Sequence, residues 1–236
     1  MNRRSVAVFV LALGMLGWLS SGYIWRLWTI RNVVIEGGER ITDDDVRRMI
    51  DIGVGDNLFR ADLYAITDRL EQHPWIRSAD VSRRFPDLYI VIQERQPFVL
   101  VQLPGRGLVW SDAQGVVLEP YDASGRERPA TPVVTGLQPL GEDDRVGNPE
   151  VWRLVRTLLG ADFSSLSGLE RIHVNPGGAG VDVLTGEGVE LRLPTVGALR
   201  ALRRLRSIWP TLQKKVSLQT VDLRFADELV YEQTRH

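Results

Sequence analysis

From Ser5 to Trp25 the chain carries no charge in 21 residues, the longest apolar run it contains. A helix of that length rises about 30 Å at ~1.5 Å per residue, which matches the hydrocarbon thickness of a bilayer. Arg3 and Arg4 flank the run on one side, Arg26 and Arg31 on the other. Trp18, Tyr23, Trp25 and Trp28 gather toward its second end, where amphipathic rings favour the headgroup level. The pattern predicts one transmembrane helix over 5–25 behind a tail of residues 1–4. Buried helices of soluble proteins rarely carry so long a charge-free run. A cleavable secretory signal is the stronger rival, since Ser20-Ser21-Gly22 offers small residues. Against it, no A-x-A site is present and the run exceeds the usual signal core of about 7–15 residues. The flanking arginines nearly balance, so charge sets the orientation only weakly. The expectation is a signal anchor with its N-terminus in the cytoplasm.

Beyond the anchor the polar and apolar positions read as strand, helix, helix, strand, strand. Val33 and Ile35 share one face of a β-branched run, Ile30 to Glu36, that Gly37-Gly38 ends. Thr42 followed by Asp45 has the spacing of a capping box, and Val46, Met49 and Ile50 then form an apolar stripe. Leu63, Ile66 and Leu70 predict a second helix over Asp62 to Gln72, which His73-Pro74 stops. Two strands, Ile76 to Arg84 and Leu88 to Glu94, flank a Phe85-Pro86-Asp87 turn.

The remainder reads as strand-rich. Leu108–Trp110 and Val116–Leu118 bracket Ser111-Asp112-Ala113-Gln114-Gly115, a hairpin with Gly115 available for a positive φ. Glu119 to Asn148 reads mostly as loop. Asn148-Pro149-Glu150 opens a helix whose Val151, Leu154, Val155 and Leu158 face inward. Three strands come next (Leu169–Asn175, Gly180–Leu184, Gly188–Leu193), and then a helix over Val196–Trp209. A last strand pair covers Gln219–Phe225 and Leu229–Thr234. The class is α+β, with two helices in this second, mixed β-rich part.

Composition narrows the chemistry. Cysteine is absent, which excludes disulfides, thiolate metal sites and cysteine nucleophiles. Removing Arg3, Arg4 and Arg26 from 29 basic residues leaves the exterior mildly acidic against its 30 acids, so no nucleic-acid footprint is visible. His73, His173 and His236 stand apart, with no ligand spacing among them. No nucleophile elbow, phosphate loop or dinucleotide fingerprint occurs, and Gly105-Arg106-Gly107 and the Pro176–Gly180 stretch read as turns. Asp43-Asp44-Asp45 suits a helix start, and Glu142-Asp143-Asp144 a solvated loop. No catalytic, metal or cofactor site and no small-molecule substrate is expected. Arg200, Arg203, Arg204 and Arg206 surround a Leu199-Leu202-Leu205 stripe. A solvated basic face is the default reading, with anionic headgroups or an acidic partner segment as alternatives.

Several local strings carry a family resemblance. Pro74-Trp75-Ile76, Ala79, Val81, Arg84, Pro86 and Leu88 lead into Val91-Ile92-Gln93-Glu94-Arg95-Gln96-Pro97. Asp112 and Gly115 mark a hairpin turn, and Val221-Asp222-Leu223-Arg224-Phe225 lies near the terminus. Together they resemble the FtsQ/DivIB family of bacterial cell-division proteins. The resemblance implies a POTRA domain over 28–97, a β domain over 98–236, and a bitopic inner-membrane protein of the division septum with its bulk in the periplasm. The four-residue tail is shorter than is usual in the family. POTRA units also occur in outer-membrane assembly proteins, but a membrane barrel of that class needs many strands of about 10 residues. The chain beyond Pro97 reads instead as shorter strands with two helices and long loops among them.

The resemblance further implies contact-based work in the division machinery. The last strands would receive a segment of a small single-span coiled-coil partner of the FtsB type, itself paired with FtsL. That role falls here on Arg224, Phe225, Leu229, Val230 and Tyr231. Arg224 would meet partner carboxylates and the strand backbone would supply the ladder, while for Phe225 a plain core role is an equal alternative. A terminal strand has an outer row of N–H and C=O groups, which a partner strand can complete. The rival functional class is a periplasmic POTRA-type chaperone for envelope proteins, and a wall-processing enzyme is a distant third.

Overall fold

The computed structural model describes residues 28–122, 124, 131–140, 144–161, 168–178, 180–215, 218–225 and 230–233. The transmembrane helix expected over 5–25 lies outside them, and among the described residues no helix is long and apolar enough to cross a membrane. Contacts divide the chain between Arg95 and Gln96 into two units. Its mixture of helices and sheets is of the α+β class.

The first unit contains β1 (Val33–Glu36), α1 (Asp43–Ile50), α2 (Leu63–Glu71), β2 (Ile76–Arg84) and β3 (Asp87–Glu94). β3 is central, with β1 parallel on one side and β2 antiparallel on the other. Leu88, Ile90 and Ile92 alternate inward along β3, and Val46, Ile50, Ile66 and Leu70 from the helices are buried. Alternation at period two and spacings of three and four thus meet in one core. The capping box forms as the sequence predicts. The Asp45 N–H donates to Thr42 Oγ1 at 3.3 Å, and the Thr42 N–H donates to the Asp45 carboxylate at 3.1 Å. The Thr42 hydroxyl bond, and Arg48 after it, hold the Asp45 carboxyl down to about 2. Asp62 caps α2 through the Ala65 N–H, at 3.1 Å.

The strings at the end of this unit have a mechanical reason. Glu94 Oε1 accepts the backbone N–H groups of Glu39, Arg40 and Ile41 at 3.0, 2.9 and 2.8 Å. One carboxylate therefore closes the turn after β1, an arrangement that suits an anion among successive amides. Gly37, at φ +92°, lets that turn pass β3, because a Cβ there would sit 2.1 Å from the Ile92 carbonyl. The Arg40 guanidinium lies 4.2 Å from the centre of the Trp75 ring, and the Arg95 N–H donates to the Trp75 carbonyl at 2.8 Å.

The second unit is built on a nine-stranded mixed sheet. Its strands are β4 (Val99–Leu103), β5 (Gly107–Ser111), β6 (Val117–Pro120), β7 (Val133–Thr135), β10 (Leu169–Val174), β11 (Val181–Thr185), β12 (Glu190–Leu193), β13 (Leu218–Asp222) and β14 (Val230–Gln233). They run β14-β13-β12-β11-β10-β7-β4-β5-β6, and β8 (Pro139–Leu140) pairs with β9 (Arg145–Val146) outside the sheet. α3 (Pro149–Leu159) and α4 (Ala198–Lys215) contribute to the same core as Val101, Val134, Ile172, Val183, Leu191 and Val221. The Asp112–Gly115 hairpin forms: Asp112 Oδ1 accepts from Gln114 and Val116 N–H at 2.9 and 2.8 Å. Gly115 takes φ +87° with the Trp152 indole directly against it.

Three expectations change. Glu119–Asn148 is mostly loop among its described residues, but it also contains β7, which sits at mid-sheet, parallel to both β4 and β10. β4 itself, a run too uniformly apolar to show alternation, is an additional strand buried at Val99, Leu100, Val101 and Leu103. The basic helix does not end at Trp209 but continues through Pro210 to Lys215. Pro210 and Arg206 are both exposed, so the carbonyl that loses its helical partner is on the wet side. The buried stripe of that helix is Ala198, Ala201, Leu205 and Trp209, and Leu199 is exposed.

The Glu94 site yields a prediction. Replacing Glu94 with Ala leaves three amides without their acceptor and lowers the unfolding free energy of the first unit by about 1–3 kcal/mol. Glu94→Gln retains one acceptor oxygen and costs less. Chemical denaturation of the two variants checks both the size and the order.

Candidate partner-binding edge

β14 pairs antiparallel with β13, in the register Thr220 to Glu232, Val221 to Tyr231 and Asp222 to Val230. Among the described residues β14 has no second strand neighbour, so it ends the sheet. Pairing fixes which way its side chains face. Val221 belongs to the helix-covered core, so Tyr231 opposite it lies on the helix side, whereas Val230 shares the other face with Asp222. Val230 and Tyr231 are 48% and 42% exposed. They flank the edge from two faces and do not form one patch. Phe225 is exposed beyond the end of β13, which decides against its reading as plain core. Leu229 lies outside the described residues.

Arg224 has an internal partner. Its Nε lies 3.0 and 3.1 Å from the two Asp222 carboxylate oxygens, and its Nη2 lies 2.5 Å from Oδ2. The Arg224 N–H also donates to Asp222 Oδ1, at 3.0 Å. These bonds hold the Asp222 carboxyl below its ordinary value and raise the already high value of Arg224. The guanidinium thus clamps the end of β13 through a carboxylate two residues away.

Asp222 ends a polar row that crosses the sheet. Strand register sets Thr135, His173, Asp182, Arg192 and Asp222 side by side on the face away from the helices. Thr135 Oγ1 lies 2.9 Å from His173 Nδ1, and Arg192 Nε donates to Glu190 at 3.2 Å. Asp182 and Arg192 add electrostatic support to the Asp222–Arg224 pair. The alternation of charge with Val and Leu along each strand carried this signal.

Arg204 makes a contact that its sequence neighbourhood does not announce. It belongs to the basic face of α4, and its Nη2 donates to the Phe225 carbonyl at 2.9 Å. The helix therefore holds the chain where it leaves β13. Nothing in the spacing of four arginines singles out the one that reaches a strand end. Among the described residues no group of three or more His, Asp or Glu could hold a metal ion.

The opposite end of the sheet is built differently. β6 ends at Pro120, which has no N–H to offer, and its Val117 N–H donates to the Asp144 carbonyl at 2.9 Å. Val116 also makes an isolated bridge to Arg145. That edge is blunted by proline and by β9, both ordinary devices against strand pairing.

This two-unit architecture has matches in sequence. The FtsQ-type POTRA domain pattern matches residues 28–95, and the C-terminal pattern of the cell division protein FtsQ/DivIB matches residues 100–224. The chain belongs to the FtsQ/DivIB family of cell-division proteins. Cell division protein FtsQ of Rhodothermus marinus is 29% identical over all of this chain and 89% of its own length. That of Geobacter sp. (strain M21) is 27% identical over 95% of this chain and 84% of its own. That of Anaeromyxobacter sp. (strain K) is 32% identical over 84% of this chain and 67% of its own. The FtsQ-type pattern spans β1 to β3, and the C-terminal pattern runs from β4 through β13 to Arg224.

The strand-end clamp generates two predictions. Because the folded Asp222 carboxyl lies below its ordinary value of 3.8, its contribution to stability is complete above that pH and is lost as acid protonates the folded form. Melting of Asp222→Asn at pH 7 should fall a few degrees below wild type, and the gap should close as the pH drops below 3.8. Neutralising Arg203 and Arg204 to Gln should cost less than about 1 kcal/mol, because the Phe225 bond is exposed. A larger loss by denaturant titration would mean that the basic face is structural.

Proposed function

We propose that this FtsQ/DivIB family member is a non-catalytic, single-span inner-membrane scaffold of the division machinery. Residues 1–4 would form the cytoplasmic tail, 5–25 the span, 28–97 the POTRA domain and 98–236 the β domain, with the exterior in the periplasm at the septum. It would recruit and couple early and late division proteins by contact. Its principal partners would be small single-span coiled-coil proteins of the FtsB and FtsL type, one of which adds a strand to β14.

The observation that carries this reading is the difference between the two sheet edges. β6 is blocked by Pro120 and by the Val116–Arg145 bridge, and β14 has no such device among the described residues. A four-residue strand turns about four backbone groups outward, each worth about 0.5–1.5 kcal/mol net once paired. Backbone pairing alone therefore gives weak binding, and side chains must add specificity. Phe225, Val230 and Tyr231, exposed around the edge, are suited to that, and Leu229 adjoins them in sequence. Arg224 acts through Asp222 to fix the strand end, and is a positioning residue.

Capture of a detergent-solubilised FtsB–FtsL-type pair by the full chain tests the proposal. Truncation after Ala226, and separately Val230→Lys with Tyr231→Lys, should each weaken capture at least tenfold, about 1.4 kcal/mol. The melting temperature of the double variant should stay near wild type, since both side chains are exposed. Undiminished capture by the folded variants would refute strand addition at β14.

A further inference from the structure

The first unit carries an exposed aromatic cluster that the division contacts proposed above do not use. Trp28, Phe59 and Phe85 are 40%, 56% and 55% exposed, yet Trp28 packs against both phenylalanines. The Trp28 and Phe59 ring centres lie 4.6 Å apart, edge to face, and those of Trp28 and Phe85 lie 5.5 Å apart. Three separate segments supply the rings, and backbone bonds lock them together. The Leu58 N–H donates to the Trp28 carbonyl at 2.9 Å, the Ile30 N–H to Asp56 at 2.8 Å, and the Arg31 N–H to Pro86 at 3.0 Å. Arg83 tightens the base of the Phe59 loop, its Nε and Nη2 donating to the Leu58 and Ala61 carbonyls at 2.9 and 2.6 Å. Rings displayed to water on a rigid platform mark a surface built to be covered.

The position of the cluster says by what. It sits at the end of the sheet where β1 and β3 begin, with Val33 opposite Leu88 and Arg84 opposite Asp87. Only Arg26 and Leu27 separate Trp28 from Trp25, the last residue of the charge-free run, so the two are three residue steps apart. Three residues reach at most about 11 Å even when fully extended, and the headgroup layer outside the hydrocarbon is about 5–8 Å deep. If the run spans the bilayer, Trp28 is confined to the headgroup layer or its immediate rim, and Phe59 and Phe85 go with it. Trp is the residue type enriched at that depth.

Charge does not drive this contact. The segments that supply the rings carry Arg31, Arg60, Arg83 and Arg84 beside Asp56, Asp62 and Asp87, whose carboxylates accept hydrogen bonds from Gly53, Ala65 and Asn32. The balance is nearly neutral, so the rings themselves must carry the contact and an anionic lipid is not required.

We infer that Trp28, Phe59 and Phe85 form a lipid-headgroup docking surface that seats this end of the first unit on the membrane. The inference rests on the proposed span over 5–25. Its consequence is mechanical: the first unit is held against the membrane at this end and cannot swing freely on a tether.

The absence of cysteine makes the test clean, since one introduced thiol is the only label site. Full-length Phe59→Cys and Phe85→Cys, each labelled with an environment-sensitive fluorophore, are reconstituted into phosphatidylcholine vesicles. Glu39→Cys, an exposed position beside Glu94 at the other end of the sheet, is the water-facing control. Alkaline carbonate extraction reports separately on the span. The expected result is retention of the chain after extraction, with blue-shifted emission and loss of iodide quenching at the Phe59 and Phe85 sites but not at Glu39. Retention with all three labels equally quenched would overturn the docking surface and leave the span intact. Release by carbonate would overturn the span reading, and the docking inference with it. Shielding at Phe59 and Phe85 that appears only after a partner protein is added would assign the cluster to protein and also overturn it. The two labelled positions are independent, so the failure of one variant to fold leaves the other to decide.

Discussion

A β-sheet has two ends, and at each end the backbone N–H and C=O groups of one strand lack the neighbour that every interior strand possesses. In the second unit the two ends are treated unequally. At β6 a proline removes a donor and the Asp144–Arg145 segment takes up bonding positions. At the other end the side-chain interactions instead hold the end of β13, the strand on which β14 pairs. Asp222 is clamped by Arg224, and the Phe225 carbonyl is held by Arg204 from the helix that backs the sheet. Among the described residues β14 has its outer backbone row open, which is what strand addition requires.

The first unit uses the same logic with different parts. Its sheet order places β1 and β2 at the edges, and the β2 edge is partly occupied, since the Ala79 N–H donates to the Glu71 carboxylate at 3.1 Å. Its turn geometry rests on Glu94, its helix starts on Thr42 and Asp62, and its exposed aromatic rings gather at one end. What distinguishes the unit chemically is thus surface and backbone, in keeping with a family whose members are cell-division proteins.

Much of this was legible in the sequence because local rules agreed with the fold. The capping box at Thr42, the helix stop at Pro74, the Asp112–Gly115 hairpin and the Asn148 cap are decided within five residues of chain, and each formed as the spacing predicts. What escaped depends on partners far away. Val133–Thr135 is too short to show a period and becomes a strand because β4 and β10 close around it. Pro210 reads as a helix stop until the exposure of that face is known. The inward stripe of α4 uses Ala198 and Ala201, which no hydrophobicity pattern prefers over Leu199. The Asp222–Arg224 pair also escaped, although the two lie only two residues apart.

The central claim is that the open β14 edge is where this chain does its work. Amide hydrogen–deuterium exchange on the membrane-embedded full chain, with and without an FtsB–FtsL-type pair, reads that edge directly. Exchange should slow at Val230 to Gln233 when the partners bind and stay unchanged at Val117 to Glu119. Protection confined to the helices or to the first unit, with the β14 amides exchanging as before, would contradict it.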